Sequence, residues 1–388
     1  MKILFISHYS ELYGANRSLL GLLEGFLKYP EIEPLVIIPN DGPIELELQN
    51  LGIGYKKIFV PKAILPKPAA FSGFIHRLKF LLRYSSDIVA FRKNTKKATK
   101  QIETQINLNS IDVVYSNSAA LYIGFILARK HGIPHFWHIR EFIDLDYGHT
   151  PVYGWRDLRK KLKASTGVVY ISKAIQTHFR ESSNAAIIYN GVLKECTFHK
   201  LKERKTKLDQ CHYFLMIGLL APSKGQQFAI RAMQEVNKKH PHHRLKLVGE
   251  GDYSEILKKL AAELGIAKNI EFEGYKSDVY PYLKDALGLL MCSQNEGMGR
   301  ATVEAMAAKC PVIGYNHAGT AELIIDNKTG YLYREVAELS QAMIHLIENT
   351  SSANAVTDQA WDSAKSKYSI EGYADSVLEF IHHKMPLA

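Results

Sequence analysis

Two carboxylates, Glu296 and Glu304, flank a glycine-broken turn, Gly297, Met298 and Gly299, inside the stretch 293–315. A carboxylate accepts two hydrogen bonds at once, so each suits the vicinal hydroxyls of a sugar or a ribose. Glycines at 297 and 299 are expected to let the backbone turn sharply and come closer to a ligand than a Cβ would permit. The amides from Met298 through Arg300 to Ala301 open a helix, where unpaired N–H groups and the positive end of the helix dipole favour a phosphate. Phosphate donors between two diol acceptors suggest a nucleotide-sugar site. The same residues admit a plainer reading. Glu296 is then a solvated loop residue and Glu304 a surface position on an amphipathic helix whose buried stripe is Val303, Met306, Ala307 and Cys310.

The elements that would hold this turn are legible on either side of it. The apolar run 286–293 predicts a buried parallel strand, Pro311 ends the helix, and residues 312–315 resume as another strand. The alternation extends along the whole chain. Strands are predicted near 2–8, 33–39, 55–60, 112–117, 134–139, 167–172 and 185–189, then near 212–219, 245–248 and 270–274, with helical stretches between them. Such alternation argues for parallel sheets covered on both faces. With 388 residues the chain exceeds one compact core, so two domains are expected. The boundaries predicted are 1–193 and 211–368, with a polar, basic linker at 194–210 and a C-terminal helix over about 369–388.

From Glu296 through Glu304 to Ile313, then from Ala318 to Leu323 and from Asp326 to Leu332, the second half resembles the glutamate–seven residues–glutamate region of the retaining glycosyltransferase family 4. The two glutamates fall on that motif and 297–299 on its glycine turn. The resemblance is strong over the second half and looser over the first. It implies an α/β protein of the GT-B fold, two Rossmann-like domains facing across a cleft, with the donor held mainly by the second and the acceptor by the first.

The site residues it implies follow position by position. Lys224 falls on the family's diphosphate-binding lysine, beside the glycine Gly218. Glu296 would bind sugar hydroxyls and Glu304 the ribose diol. Gly249 is among the donor-binding positions, and the backbone near Gly274 and Tyr275 lies where the base is held. His138, at the end of the strand near 134–139, matches a histidine that contacts the donor sugar while neutral. Arg140 and Glu141 would touch the acceptor, and the loop at Gly14 would approach the reaction centre. One position departs from the pattern. Where the family usually has an arginine five residues before the lysine, this chain has Leu219. One of two cations that steady the leaving diphosphate is therefore missing, and Arg300 is a candidate to share its role.

The co-substrate implied is a UDP- or GDP-sugar, transferred with retention to a glycan or lipid-linked acceptor hydroxyl in building a surface polysaccharide. No cofactor and no metal are expected. Two other readings stay open: a nucleotide-sugar epimerase of the same architecture, and a non-catalytic nucleotide-sugar binder.

Composition bounds the rest. Hydrophobic residues make up 46% and charged residues 23%, ordinary for a globular protein and against disorder. Cys196, Cys211, Cys292 and Cys310 show neither CxxC nor zinc-site spacing and read as free thiols in a reducing compartment. The first eight residues carry one lysine and four consecutive apolar residues, short of a signal peptide's core, and no later run reaches membrane-spanning length. The expected location is the cytoplasm, peripheral on the inner face of the membrane. The formal net charge is +10, and residues 55–100 hold twelve Lys or Arg against Asp87 alone. Within 71–100, Phe71, Phe74, Ile75, Leu78, Phe80, Leu81, Leu82, Ile88, Val89 and Phe91 mix with those cations. That mixture predicts an interfacial segment on an anionic membrane. No nucleic-acid motif accompanies it.

Overall fold

The computed structural model describes residues 1–67, 74–180, 183–203 and 206–385, with the side chains of 74–82 and 147 outside the description. The chain divides into two units, one of residues 1–190 with the C-terminal residues from Tyr373, the other of Gly191–Gly372.

The first unit is built on β1 (Lys2–Ile6), β2 (Glu33–Ile38), β3 (Gly54–Lys57), β4 (Ile64–Pro66), β5 (Val113–Ser116), β6 (His135–Ile139), β7 (His149–Pro151), β8 (Gly167–Tyr170) and β9 (Ala185–Ile187). Seven of these form one parallel sheet in the order β3-β2-β1-β5-β6-β8-β9. β1, β5, β6 and β8 are buried almost throughout because helices cover both faces. Phe5, Leu22, Phe26 and Phe136 lie in the core on one side; Leu4, Ile6, Val114 and Leu127 lie on the other. β4 and β7, absent from the sequence expectations, pair antiparallel in a separate two-stranded sheet. The last helix, Ile370–Lys384, belongs to this unit from Tyr373 onward. Tyr29 donates to Asp375 at 2.6 Å, and Phe380 meets the edge of Phe136.

The second unit contains β10 (Tyr213–Ile217), β11 (Arg244–Val248), β12 (Ile270–Gly274), β13 (Gly288–Met291), β14 (Val312–Tyr315) and β15 (Tyr331–Tyr333). They form a parallel sheet in the order β12-β11-β10-β13-β14-β15. Its strand order turns back between β10 and β13, the kind of point where open α/β sheets bind ligands at the carboxyl ends of their strands. β15, a three-residue edge strand, was too short to register in the apolar pattern.

One expectation is corrected, and another falls largely on residues outside the description. Residues 194–210 are not a free linker: Glu195–Leu201 is a helix that buries Phe198 and Leu201, and Trp361 donates its indole N–H to the Phe198 carbonyl. The basic segment is a helix, Phe74–Gln105. Of the apolar residues named for it, Phe91 is buried and packs the unit, Ile88 is half-buried and Val89 is exposed; Ala98 and Ile102 are buried beside Phe91. Phe71 and the side chains of Phe74, Ile75, Leu78, Phe80, Leu81 and Leu82 lie outside the described residues. Among the described residues no helix is long and apolar enough to cross a membrane.

Candidate functional site

In the second unit, β10, β11 and β12 end in register, Ile217 beside Val248 and Val248 beside Gly274. Gly218, Gly249 and the Gly274–Tyr275 pair therefore share one rim. Gly218 donates to Val248 at 2.9 Å and Gly249 to Gly274 at 2.8 Å. Gly249 has φ +146°, and a Cβ there would stand 1.9 Å from the Gly218 carbonyl oxygen. Only glycine lets these loops close up. Leu219 and Tyr275 are largely exposed on the same rim.

Lys224 ends a short 3-10 turn, Pro222–Lys224, ahead of the helix Gln226–Lys239. Glu296 follows β13. The two side chains meet, Lys224 Nζ to Glu296 Oε2 at 2.7 Å, the carboxylate side chain being 17% exposed. Burial pushes the Glu296 pKa up, but the Lys224 ammonium and hydrogen bonds from Lys224 and Ser293 outweigh it. The net shift is downward, and Glu296 is an anion at neutral pH.

Gly299, at φ +77°, is the N-cap of the helix Arg300–Ala307 and carries the left-handed turn. Gly297 does not have positive φ. Its carbonyl instead packs against Gly319, whose amide donates to the Glu296 carbonyl at 2.9 Å. Met298 is buried. Glu304 sits one turn beyond Arg300, its Oε1 3.8 Å from the guanidinium. Arg300 also donates to the carbonyls of Gly191 at 3.4 Å and Val192 at 3.3 Å. That arginine is thus held on the Gly191 and Val192 carbonyls and on Glu304, which limits it as a substitute for the cation missing at Leu219. Thr302, in the first turn of that helix, has a buried hydroxyl that lacks a hydrogen-bond partner among the described residues, and His317, the N-cap of the helix Ala318–Leu323, donates from Nδ1 to the Gln294 carbonyl at 2.7 Å. Neither was foreseen, since an isolated threonine or histidine gives no periodic signal.

In the first unit, His138 lies within β6 and is fully buried. Tyr115 Oη is 2.8 Å from its Nδ1, and Arg140 Nη2 is 3.2 Å from the same nitrogen. A guanidinium only donates, so Nδ1 accepts and the proton resides on Nε2. Burial, reinforced by the Arg140 charge, holds the His138 pKa well below its ordinary value and keeps the ring neutral. Nε2 is buried without a partner, a donor in want of an acceptor.

Arg140 and Glu141 had been expected to touch an acceptor; both are spent inside the unit. Arg140 donates through Nε to Asn117 at 2.7 Å, through Nη1 to Asn190, and through Nη2 to Tyr373 at 3.0 Å as well as to His138. Glu141 accepts from the Ser118 hydroxyl and from the Ala119 amide at 2.9 Å. Burial pushes its carboxyl up to about 7, against the pull of those bonds. Gly14 opens the helix Gly14–Phe26 with nothing close to where a Cβ would stand, so no steric demand explains a glycine there. The loop before it is pinned by Asn16, which donates to the carbonyls of Tyr9 at 2.8 Å and Glu11 at 2.9 Å.

These buried groups set a pH dependence. His135, buried, has its pKa lowered from 6.5 to about 3 by desolvation, and His138 shifts the same way. The unfolded chain then binds more protons than the folded one below about pH 6.5, so acid destabilises, by about 2 kcal/mol for His135 on going to about pH 5, with His138 acting in the same direction. Glu141, raised from 4.5 to about 7, works in the opposite sense over that range, and His135 together with His8, which burial likewise lowers to about 3, outweighs it. Denaturant midpoints should fall on acidification, and His135→Gln should flatten the slope. An unchanged slope in that variant would show that His135 titrates normally.

Among the described residues no group of three His, Cys, Asp or Glu is placed to hold a metal ion.

Residues 198–362 match the family model described as Glycosyl transferases group 1. Over 327 residues the chain is 25% identical to the uncharacterized glycosyltransferase MJ1178 of Methanocaldococcus jannaschii, covering 81% of this chain and 88% of that protein. It is 26% identical to the poly(ribitol-phosphate) alpha-N-acetylglucosaminyltransferase of Staphylococcus aureus over 43% of this chain, but spans only 34% of that enzyme. The fold is similar to Anabaena Alr3699/HepE solved in complex with UDP, with a TM-score of 0.78 at 20% identity, over 99% of this chain and 100% of that one. On that match and that fold, residues 198–362 are similar to the group 1 glycosyl transferases, and the chain is a transferase with the two Rossmann-like domains of the GT-B architecture.

Proposed function

We propose that the protein transfers a sugar from a nucleotide-diphosphate sugar to an acceptor hydroxyl with retention, in the manner of family 4. The observation that carries this reading is the Lys224–Glu296 pair at 2.7 Å on the glycine turn that also leads to Glu304. It puts a phosphate-binding cation and a hydroxyl-binding anion side by side. The helix opening at Arg300 adds amides toward phosphate. Glu304 would take the ribose diol, the rim at Gly274 and Tyr275 the base, and His138 would offer its Nε2–H to the sugar. The departing phosphate would receive the acceptor's proton on the same face. No metal or cofactor enters this scheme.

A UDP-sugar donor is favoured because HepE has been solved with UDP and with UDP-glucose. The acceptor we assign is a lipid-linked or cell-surface glycan precursor, handled in the cytoplasm at the inner face of the membrane. The polyol-phosphate acceptor named for the S. aureus relative and the basic helix support that choice.

A thermal-shift comparison of UDP-, GDP- and ADP-sugars tests the donor site. Binding at a hundred times Kd adds about 2.7 kcal/mol of stability, and Glu304→Ala should abolish the response to a UDP-sugar. Indifference to every nucleotide sugar, or an unaltered response in that variant, would overturn the assignment. Binding without turnover across acceptors would favour a non-catalytic binder, a reading to which Leu219 lends weight. Inverted product configuration by NMR would reject retention.

A further inference from the structure

The outer side of the helix Phe74–Gln105 borders a groove of about 580 Å³. Arg92, Lys96 and Lys100, one turn apart, supply cations from the helix, and Lys130 supplies another from the opposite wall. All three helix cations are exposed. The floor is apolar and aromatic: Phe91, Ile126 and Tyr153 line it, with the aliphatic parts of Thr95 and Thr99. Arg92 lies 5.5 Å over the Tyr153 ring and donates to its hydroxyl at 3.2 Å. Glu103, the acid of the lining, is held by Lys130 at 2.6 Å and His131 at 2.8 Å. Lys96 and Lys100 form no ion pair among the described residues.

We infer that this groove seats the headgroup of an acidic phospholipid. The inference rests on the membrane-facing part of the reading above, and it changes the mode of attachment. With Phe91, Ala98 and Ile102 buried, the described part of the helix has little apolar surface to insert. What it offers is a row of cations beside an apolar floor, which fits an anion joined to hydrocarbon better than a free anion. The phosphate lies among Arg92, Lys96, Lys100 and Lys130; the glycerol and first methylenes lie on Phe91, Ile126 and Tyr153. Val89, exposed one turn before Arg92, extends the apolar edge.

The helix carries its own control. Lys93 and Lys97 are equally exposed but do not line the groove. Full-length protein is sedimented with phosphatidylcholine vesicles and with vesicles that also contain phosphatidylglycerol. The wild type should bind the anionic vesicles alone. Lys96→Gln with Lys100→Gln should weaken that binding roughly 30-fold, whereas Lys93→Gln with Lys97→Gln, the same charge change, should stay within about threefold. Equal losses from the two pairs would mean diffuse attraction of a charged helix, and would overturn the groove. So would no binding by the wild type, or capture of glycerol phosphate or an oligonucleotide in place of vesicles. The UDP-sugar thermal shift, measured on the same variants, should be unchanged. Its loss throughout would instead strike at the donor reading and leave the vesicle result interpretable.

Discussion

Lys224→Ala is expected to lower kcat/KM for the nucleotide sugar by roughly 10²–10³-fold, the usual consequence of removing one preorganised charge from a developing anion. The effect should lie at the upper end because of what surrounds the lysine. Leu219 supplies no charge, and Arg300 is held on the carbonyls of Gly191 and Val192. The substitution also strips Glu296 of the ammonium 2.7 Å away. With burial then unopposed by that cation, the carboxyl pKa should climb. Activity in the variant should therefore acquire an acid-side pH dependence that the wild type lacks. Leu219→Arg offers a rescue: an arginine on the same rim should recover part of the loss in the Lys224→Ala background. Wild-type kcat/KM in Lys224→Ala would remove the lysine from the diphosphate site.

Arg140→Ala should cost stability on the order of 4 kcal/mol, because it leaves the buried acceptor on Asn117 unmatched at about 1–3 kcal/mol, removes a donor from Asn190 and opens a void. A more specific result is expected at His138. In the wild type, imidazole ¹⁵N spectra should show a protonated Nε2 and a bare Nδ1, unchanged well into acid. Without Arg140, a charge that disfavours protonation is gone, and only the Tyr115 hydroxyl addresses Nδ1. Since that hydroxyl can donate or accept, the Nδ1–H form becomes accessible and the ring should titrate higher. Arg140→Lys should keep the charge but not the four-way contact, and recover the pKa more than the stability. If the wild-type spectrum shows the proton on Nδ1, the network does not set the tautomer. Arg140 is on this account a positioning residue.

Local chemistry was readable where local physics decides it. Alternating apolar runs at β1, β5 and β10, the glycine turn before Arg300, and the lysine before the helix Gln226–Lys239 all follow from neighbours in the chain. Errors arose where a residue's surroundings come from elsewhere. Phe91 looks like an insertable apolar residue beside lysines, yet it stacks edge-on against Tyr122. Residues 194–210 look like a linker, yet Phe198 is buried and its carbonyl is bonded by Trp361. Arg140 beside Glu141 looks like an exposed polar pair at a strand end, yet both are buried in separate networks.

The sequence by itself determined the α/β alternation and the types and spacing of Glu296, Glu304 and Lys224, because period, glycine and proline act over a few residues. Only the tertiary structure decided which groups meet. Lys224 and Glu296 are 72 positions apart, and Arg140 and Tyr373 are 233 apart. No local pattern selects such partners; the register of the parallel strands and the return of the last helix do, and with them the charge of Glu296 and the proton on His138.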